Sequence, residues 1–475
     1  MLPEHLNPQV EREFAEKRID RELTLSILDR FNRGEFDRFT RPVIDSFPQI
    51  DGSQILDTTG PLGFSLTRRE AIDRLGAAVG VSVLEDLGEA HGENLVFGDE
   101  SLRALGLKLL PYTAYGILNG GSATSYVDEK KNISFHRELF ELNRDIFYRF
   151  ADRARGTPKG LTPAFIQPDG SPGPSFLELK MRALLVLSFA HIRDAEHWGG
   201  VDGEPAPLPL FQMTSVYSND VLAEAYEKFE KSELLRDLIG ATGIHVTDAM
   251  TGIQPLIAAY THSSEGTPRG IFTRAWGREN SLLPLPGGHG QNFMALRDIY
   301  RGLRDAGYRY AYLGNVDNLG NMADPRTLAV MALSGRSGAF EFSFKTPVDV
   351  KGGVLIRDTE ERLSAVDIGP AVSKEEVEDA ENRGKPILFN CATGLFDLSY
   401  IAERVDSIIH ELPTRFSDQE KDAGRYSQAE QITWEIIGMM DDPLIFGVDK
   451  TRRFLASKLF MENLVTSGTG LDSES

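Results

Sequence analysis

Apolar and polar positions along this chain follow two different periods, and the switches between them predict an α/β protein. From Phe293 to Leu303 the apolar residues Phe293, Leu296, Ile299, Tyr300 and Leu303 fall at helical spacing, and Gly307 stands where a helix-ending glycine belongs. Tyr310 to Val316 then reads as a short buried strand, closed by the turn residues Asp317-Asn318-Leu319-Gly320. Ala339 to Lys345 alternates Phe340, Phe342 and Phe344 against Glu341 and Ser343, the period of a half-buried strand. Short strands are also predicted at Leu107 to Ile117, Pro209 to Thr214, Ile244 to Val246, Ile271 to Thr273 and Pro386 to Asn390. Helices are predicted at Lys180 to Ile192 and onward from Val221. Strands interleaved with helices imply a largely parallel sheet.

The two ends read differently. Residues 1–105 are charged and mostly helical in pattern, with apolar positions at Phe14, Ile19, Leu23, Ile27 and Leu28 and a second helix opening at Thr67. They predict a helical region packed on the core. Residues 406–475 predict a short helical C-terminal region, ending in the small polar tail SGTGLDSES, which is expected to be disordered. The core is then 106–405.

Composition narrows the class. A formal net charge of −20 argues against nucleic acid or an anionic membrane as partner, since both need a basic surface. The one cysteine, Cys391, rules out an intrachain disulfide framework and fits a reducing compartment. No basic-then-apolar leader opens the chain, and the longest apolar run, Leu184 to Ala190, is too short to span a bilayer. The expectation is a soluble cytoplasmic protein.

The candidate chemistry lies in loops. LNGGSATSY, residues 118–126, places adjacent glycines after a strand, where exposed N–H groups can cradle phosphate. It is neither a dinucleotide fingerprint nor a P-loop. Glycines flank His289 in the segment 286–290 and free its ring to face a ligand. Asp317, at a strand's carboxyl end, is the best metal-ligand candidate, because Mg²⁺ takes one or two carboxylates plus substrate phosphates. No second His or Cys at metal spacing supports zinc. Lys345, Lys351 and Lys458 are separate candidates for phosphate neutralisation, and no G-x-S-x-G elbow supports a hydrolase triad.

Taken in order, these segments resemble the eukaryotic-type UDP-glucose pyrophosphorylase family (UTP:glucose-1-phosphate uridylyltransferases). LNGGSATSY is similar to the family's L-N-G-G-L-G-T-x-M loop, and PGGHGQNF, residues 286–293, to P-P-G-H-G-D-I-Y. NVDNLG (315–320) matches N-x-D-N-L-G, and KTPVDVKGGVL (345–355) matches K-T-x-A-D-V-K-G-G-x-L. LFNCATGLF (388–396) and RFLASK (453–458) are weaker likenesses to I-F-N-T-N-N-L-W and R-F-L-P-V-K, and QMTSVYSND (212–220) is a faint one.

The resemblance implies a nucleotide-diphospho-sugar transferase fold with a Rossmann-like, mixed, mostly parallel sheet. It implies transfer of a uridylyl group from UTP to a sugar 1-phosphate, most simply glucose, with release of pyrophosphate. Asp317 would hold Mg²⁺, and Lys458 and Lys345 would act with it on the phosphates. Leu118, Asn119, Gly120, Gly121, Gly288 and His289 would face the nucleotide. Asn318, Gly352, Gly353 and Asn390 would line the sugar side. Four departures accompany the likeness. Ala123 replaces a glycine, and its Cβ is expected to crowd the phosphates. Lys130-Lys131 sits about where the family has a Pro-Lys pair. Gln291 replaces an aspartate. Arg274 stands where the family reads uracil with a glutamine. The chain also ends soon after Lys458, without the family's C-terminal β-helical domain, which leaves the oligomeric state open. Two alternatives stay open: a non-catalytic sugar-nucleotide-binding homologue, and a pyrophosphorylase for N-acetylglucosamine or galactose 1-phosphate.

Overall fold

The structure is a computed structural model, and it describes residues 6–123, 126–167, 169–198, 206–346, 349, 352–369, 371–456, 459–461 and 464. Its centre is one twisted sheet. The strands that carry the argument are β1 (Ile55–Asp57), β2 (Thr113–Leu118), β3 (Leu210–Ser215), β4 (Met250–Gln254), β5 (Tyr310–Asn315), β6 (Gly338–Phe344), β7 (Leu388–Asp397) and β8 (Leu444–Val448), in the spatial order β1-β8-β6-β7-β5-β2-β3-β4. Every neighbouring pair along this path is parallel except those made by β7, which runs antiparallel to β5 and β6. The sheet is therefore mixed and mostly parallel, as the helix–strand alternation predicts.

Both faces of the sheet are covered, which is why its strands read as short apolar runs rather than alternating ones. On one face the helices Asp99–Leu109, Phe176–Trp198 and Pro325–Ser334 bury Leu105, Leu109, Leu177, Met181, Leu184, Leu328 and Leu333 against Tyr115, Ile117, Tyr312 and Phe446. The first and last of these helices touch at Gly106, where a Cβ would lie 1.8 Å from the Pro325 carbonyl oxygen, so only glycine permits that approach. On the other face the helices Asn292–Ala295, Arg297–Asp305 and Leu398–Glu411 bury Phe293, Leu296, Tyr300, Leu303, Ile401, Val405 and Ile408.

Several elements differ from the sequence expectation. β6 is buried on both faces, not one: Glu341 on its second face is enclosed and ion-paired with Arg453. Ile244 to Val246 forms no strand, and Ile271 makes only an isolated bridge to Tyr260; the strands of that region are β4 and Leu256–Ala258, which pairs with Pro284–Pro286. β7 runs on through Cys391 to Gly394, past the turn expected there, with an irregularity in its pairing to β6 and Ala392 at φ 51°. Residues 406–465 are not continuously helical. The antiparallel hairpin Thr414–Lys421/Gly424–Gln431 leads to β8, whose apolar run LIFGV is a buried central strand. In the hairpin, polar residues fill both faces, so no two-residue period marks it as strand.

Residues 1–105 contain the expected helices, broken into Pro8–Glu16 and Arg21–Asn32 by Arg18 at φ 54°. Thr67 caps the helix Arg68–Val79 with a reciprocal capping box to Glu70. The same region also supplies strands: β1 forms one edge of the central sheet, and Ile44–Ser46 pairs with Gly353–Asp358. Among the described residues no helix is long and apolar enough to cross a membrane.

Candidate active site

β2, β3, β4, β5 and β6 all end on one edge of the sheet. The parallel register aligns Leu118 with Asn315 and with Met213, so the loops after these strands converge. Ligands bind at this edge in open α/β sheets. Here it opens into a cavity of about 430 Å³. His289, Asn315, Asp317 and Asn318 line it on one side, Gly352, Gly353, Phe389 and Asn390 on another. The hairpin and the segment after it close it with Arg415, Glu430, Trp434 and Glu435.

The acid at the centre is Asp317, in the turn after β5. Its carboxylate pairs with Lys159, and both side chains are mostly enclosed. Lys159 follows Pro158, and its main-chain N–H donates to the Gly121 carbonyl (3.0 Å), while Ser122 bridges to Pro158. The double-glycine loop and Asp317 are thus joined through one lysine. Lys130-Lys131, which stand along the chain about where the family has its Pro-Lys pair but lack the proline, sit on the exposed helix Glu129–Phe135. The pair that reaches the loop lies beyond two further helices, and only the dipeptide Pro158-Lys159 itself could have signalled it.

A second connection runs from the double glycine to His289. Gln254, the last residue of β4, is buried, and its Nε2 donates to the Gly288 carbonyl (2.8 Å) and to Gln291 Oε1 (2.9 Å). Gln291 Oε1 also accepts from Gly287 N–H (2.9 Å). With its amide nitrogen committed to two acceptors, Gln254 turns Oε1 toward Gly120, 3.1 Å from where a Cβ on that glycine would sit. His289 Nδ1 accepts from the Thr433 N–H (3.1 Å), so its proton is on Nε2. Burial beside Trp434 pulls the ring's pKa down to about 4, which keeps it neutral.

Beneath the Asp317 turn lie two enclosed cations. Lys180 donates to the carbonyls of Asn318 (2.6 Å) and Asn321 (2.9 Å), and burial draws its pKa down to about 7 against the opposing charge of Asp317. Arg453 pairs with Glu341 (3.1 Å through Nε) and donates to the Met322 carbonyl (2.7 Å). The Asn318 amide is fully buried. It donates to Arg453 O (3.1 Å) and accepts from Gly320 N (3.0 Å) and Leu455 N (2.9 Å).

The predicted residues fall into three groups. Gly120, Gly121, Gly288, His289, Asp317, Asn318, Gly352, Gly353 and Asn390 come together at this edge. Of these, Asn318 spends its amide on protein partners, and Gly352, at φ 138°, is held to glycine by the Phe389 ring. Leu118 and Asn119 sit just beneath. Leu118 faces the core, and Asn119 donates to Gln212 (3.1 Å) while its Oδ1 has no partner among the described residues.

Two residues stand apart. Arg274 is exposed on the turn Ala275–Gly277 side and pairs with Glu265 (3.1 Å), and Lys345 pairs with Glu381 (2.9 Å) outside the cavity lining. Lys458 and Lys351 lie outside the described residues. Ala123 is buried in the apolar cluster that contains Tyr126, Phe140 and Phe147.

An acid and a glycine loop at the carboxyl edge of a mixed, doubly covered sheet form a place where an α/β protein can hold a phosphorylated ligand. The sequence profile of the family described as UTP–glucose-1-phosphate uridylyltransferase matches residues 274–465. A probable UTP–glucose-1-phosphate uridylyltransferase of Schizosaccharomyces pombe is 32% identical over 138 residues, 29% of this chain and 26% of that one. Among solved structures, the UDP-glucose phosphorylase of Trypanosoma brucei is 15% identical with a TM-score of 0.55 over 97% of this chain and 78% of that one. The uridine diphosphate N-acetylglucosamine pyrophosphorylase of the same organism is 18% identical, with a TM-score of 0.56 over 78% of this chain and 71% of that one. The stretch 274–465 is thus a divergent homologue of the UTP–glucose-1-phosphate uridylyltransferase family, and the solved structures share the fold of the chain. The matched stretches span 15% to 48% of the length of its curated relatives.

Proposed function

We propose that this chain transfers a uridylyl group from UTP to a sugar 1-phosphate, glucose 1-phosphate foremost, with Mg²⁺, in the cytoplasm. The observation that carries the reading is Asp317. It stands at the carboxyl edge of the sheet, joined through Lys159 to the double-glycine loop on one side and opening on the cavity on the other.

Asp317 suits Mg²⁺. Among the described residues no three His, Cys, Asp or Glu gather to cage a metal, and one carboxylate completed by phosphates and water is the donor set Mg²⁺ accepts. Asp317 would hold the ion, which would supply charge neutralisation at the substrates' phosphates.

The chain's own residues then do the rest. In the reaction an oxygen of the sugar phosphate forms a bond to the α-phosphorus of UTP as the bond to the bridging oxygen breaks, and pyrophosphate leaves. Such a transfer depends on positioning and charge neutralisation more than on covalent help. The Gly120-Gly121 loop receives the nucleotide. Lys159, released from Asp317, and Lys458 neutralise the phosphates. Gln254 takes the base-reading role in place of Arg274, which is engaged with Glu265 at the surface: its Oε1 accepts the uracil N3–H. His289 stays neutral and offers Nε2–H as a donor. Glu430 and Glu435 on the far wall, with Asn390, offer acceptors to sugar hydroxyls. Pyrophosphate release measured over a matrix of nucleoside triphosphates and sugar 1-phosphates tests the proposal. Release with UTP and glucose 1-phosphate supports it, and none with any pair refutes it.

A further inference from the structure

Lys180 sits in the middle of an apolar stripe. On the helix Phe176–Trp198 its neighbours on the buried face are Phe176, Leu177, Met181, Leu184 and Leu185, and Lys180 itself is 1% exposed. A leucine or methionine would complete that stripe without penalty, whereas an enclosed ammonium forfeits several kcal/mol of hydration. Its contacts show what it does there. Nζ bonds the main-chain carbonyls of Asn318 and Asn321, the two ends of the turn that follows Asp317, and lies 3.5 Å from the Tyr115 hydroxyl. Among the described residues no carboxylate is ion-paired to it. The Tyr115 hydroxyl, from the neighbouring strand β2, donates to the same Asn321 carbonyl. The turn itself is closed by Asn321 N–H on the Asn318 carbonyl (3.1 Å).

Both ends of this turn matter to the site. At its start is the Asp317 carboxylate. At Asn318 the side chain grips Arg453 O and Leu455 N, and Ala456 bridges back to Asn318, so the segment leading toward Lys458 is registered on the same four residues. A donor that fixes the turn's carbonyls therefore sets both elements, although it touches no cavity space.

We propose that Lys180 is a positioning residue: by holding the carbonyls of Asn318 and Asn321 it aims the Asp317 carboxylate and registers the 453–456 segment against it. The inference rests on the reading of Asp317 as the metal-holding acid.

Lys180→Met removes the donor at nearly constant volume. Tyr115→Phe removes the companion donor to Asn321 and keeps the packing. For each, UTP affinity is measured by calorimetry in EDTA and across a Mg²⁺ series, beside pyrophosphate release and the Tm. UTP affinity in EDTA is expected to stay within about twofold of wild type, because the double-glycine loop is not touched. The Mg²⁺ concentration at half-effect is expected to rise about 10-fold in Lys180→Met and about threefold in Tyr115→Phe, with kcat down by about 10- to 100-fold, the size of outer-shell effects at metal sites.

A merely structural role would lower the Tm and leave the Mg²⁺ half-point of the folded protein unchanged; that result overturns the inference. If Lys180→Met does not fold, an unchanged half-point in Tyr115→Phe overturns it alone. If the wild type binds UTP but releases no pyrophosphate with any sugar phosphate, the transferase reading fails while the half-point still decides Lys180. A wild type that binds no UTP overturns both.

Discussion

Replacing Gln254 by leucine removes the group to which base recognition is assigned and leaves a branched apolar side chain one atom shorter. Two costs follow. The uracil N3–H loses its acceptor, a neutral hydrogen bond of about 0.5–1.5 kcal/mol. The Gly288 carbonyl also loses its donor at 2.8 Å and keeps the Gln291 N–H at 3.3 Å, a further loss of about 0.5–1.5 kcal/mol. Gln291 Oε1 keeps the Gly287 N–H, so its loss is smaller. Part of the second cost falls on stability and part on the placement of the Gly288-His289 loop. A drop in kcat/KM for UTP of about 10- to 100-fold follows, equal to about 1.4–2.8 kcal/mol. Discrimination falls with it. Cytosine carries an acceptor at N3, which Oε1 repels, so the wild type should prefer UTP over CTP strongly, and Gln254→Leu should bring the two within a few fold. The assay is kcat/KM for UTP and CTP from pyrophosphate release. Arg274→Ala is the control: its side chain is 67% exposed and engages Glu265 at the surface, so kcat/KM should stay within about twofold. An unchanged UTP-to-CTP ratio in Gln254→Leu, or its collapse in Arg274→Ala, would refute the assignment.

Two further outcomes follow from enclosed charged groups. The His289 ring has a folded pKa of about 4, below its ordinary 6.5, so the unfolded chain binds the extra proton between those values and stability falls as pH drops from about 6.5 toward 4. The ring is half-buried, which limits the effect to roughly 2 kcal/mol. Urea melts of wild type and His289→Gln from pH 7 to pH 4.5 should show a steeper loss in the wild type, and parallel curves would remove the ring's role. Arg453→Met leaves Glu341, whose pKa burial raises, without its guanidinium, and should cost about 3–5 kcal/mol in the same melts. A loss below about 1 kcal/mol would mean the pair is not enclosed as described.

Legibility in the sequence followed local chemistry. Asp317 could be read because a short apolar strand ends there in turn residues, and strand, turn and ligand edge all coincide in an α/β sheet. The glycines at 120, 288 and 353 could be read because close backbone approach selects for them. Gln254 could not. MTGIQ is too short and too mixed for a period, and the residue gains its meaning from lying beside Gly120 across the intervening strand β3. Lys159 was hidden by distance along the chain, since the helices 129–135, 137–142 and 144–154 intervene before it returns to the loop. Lys180 looks like a surface lysine until the fold places it inside. Arg274 shows the reverse: its place along the chain is that of the family's base-reading glutamine, and the fold sets it at the surface.

The account turns on Asp317, and pyrophosphate release by wild type and Asp317→Ala tests it most directly. With UTP, glucose 1-phosphate and Mg²⁺ the wild type should release pyrophosphate, EDTA should stop it, and Asp317→Ala should retain less than about one hundredth of the rate, since a lost transition-state charge contact costs about 3 kcal/mol or more. Equal release by the two proteins, or none by the wild type with any triphosphate and sugar phosphate, would contradict the account.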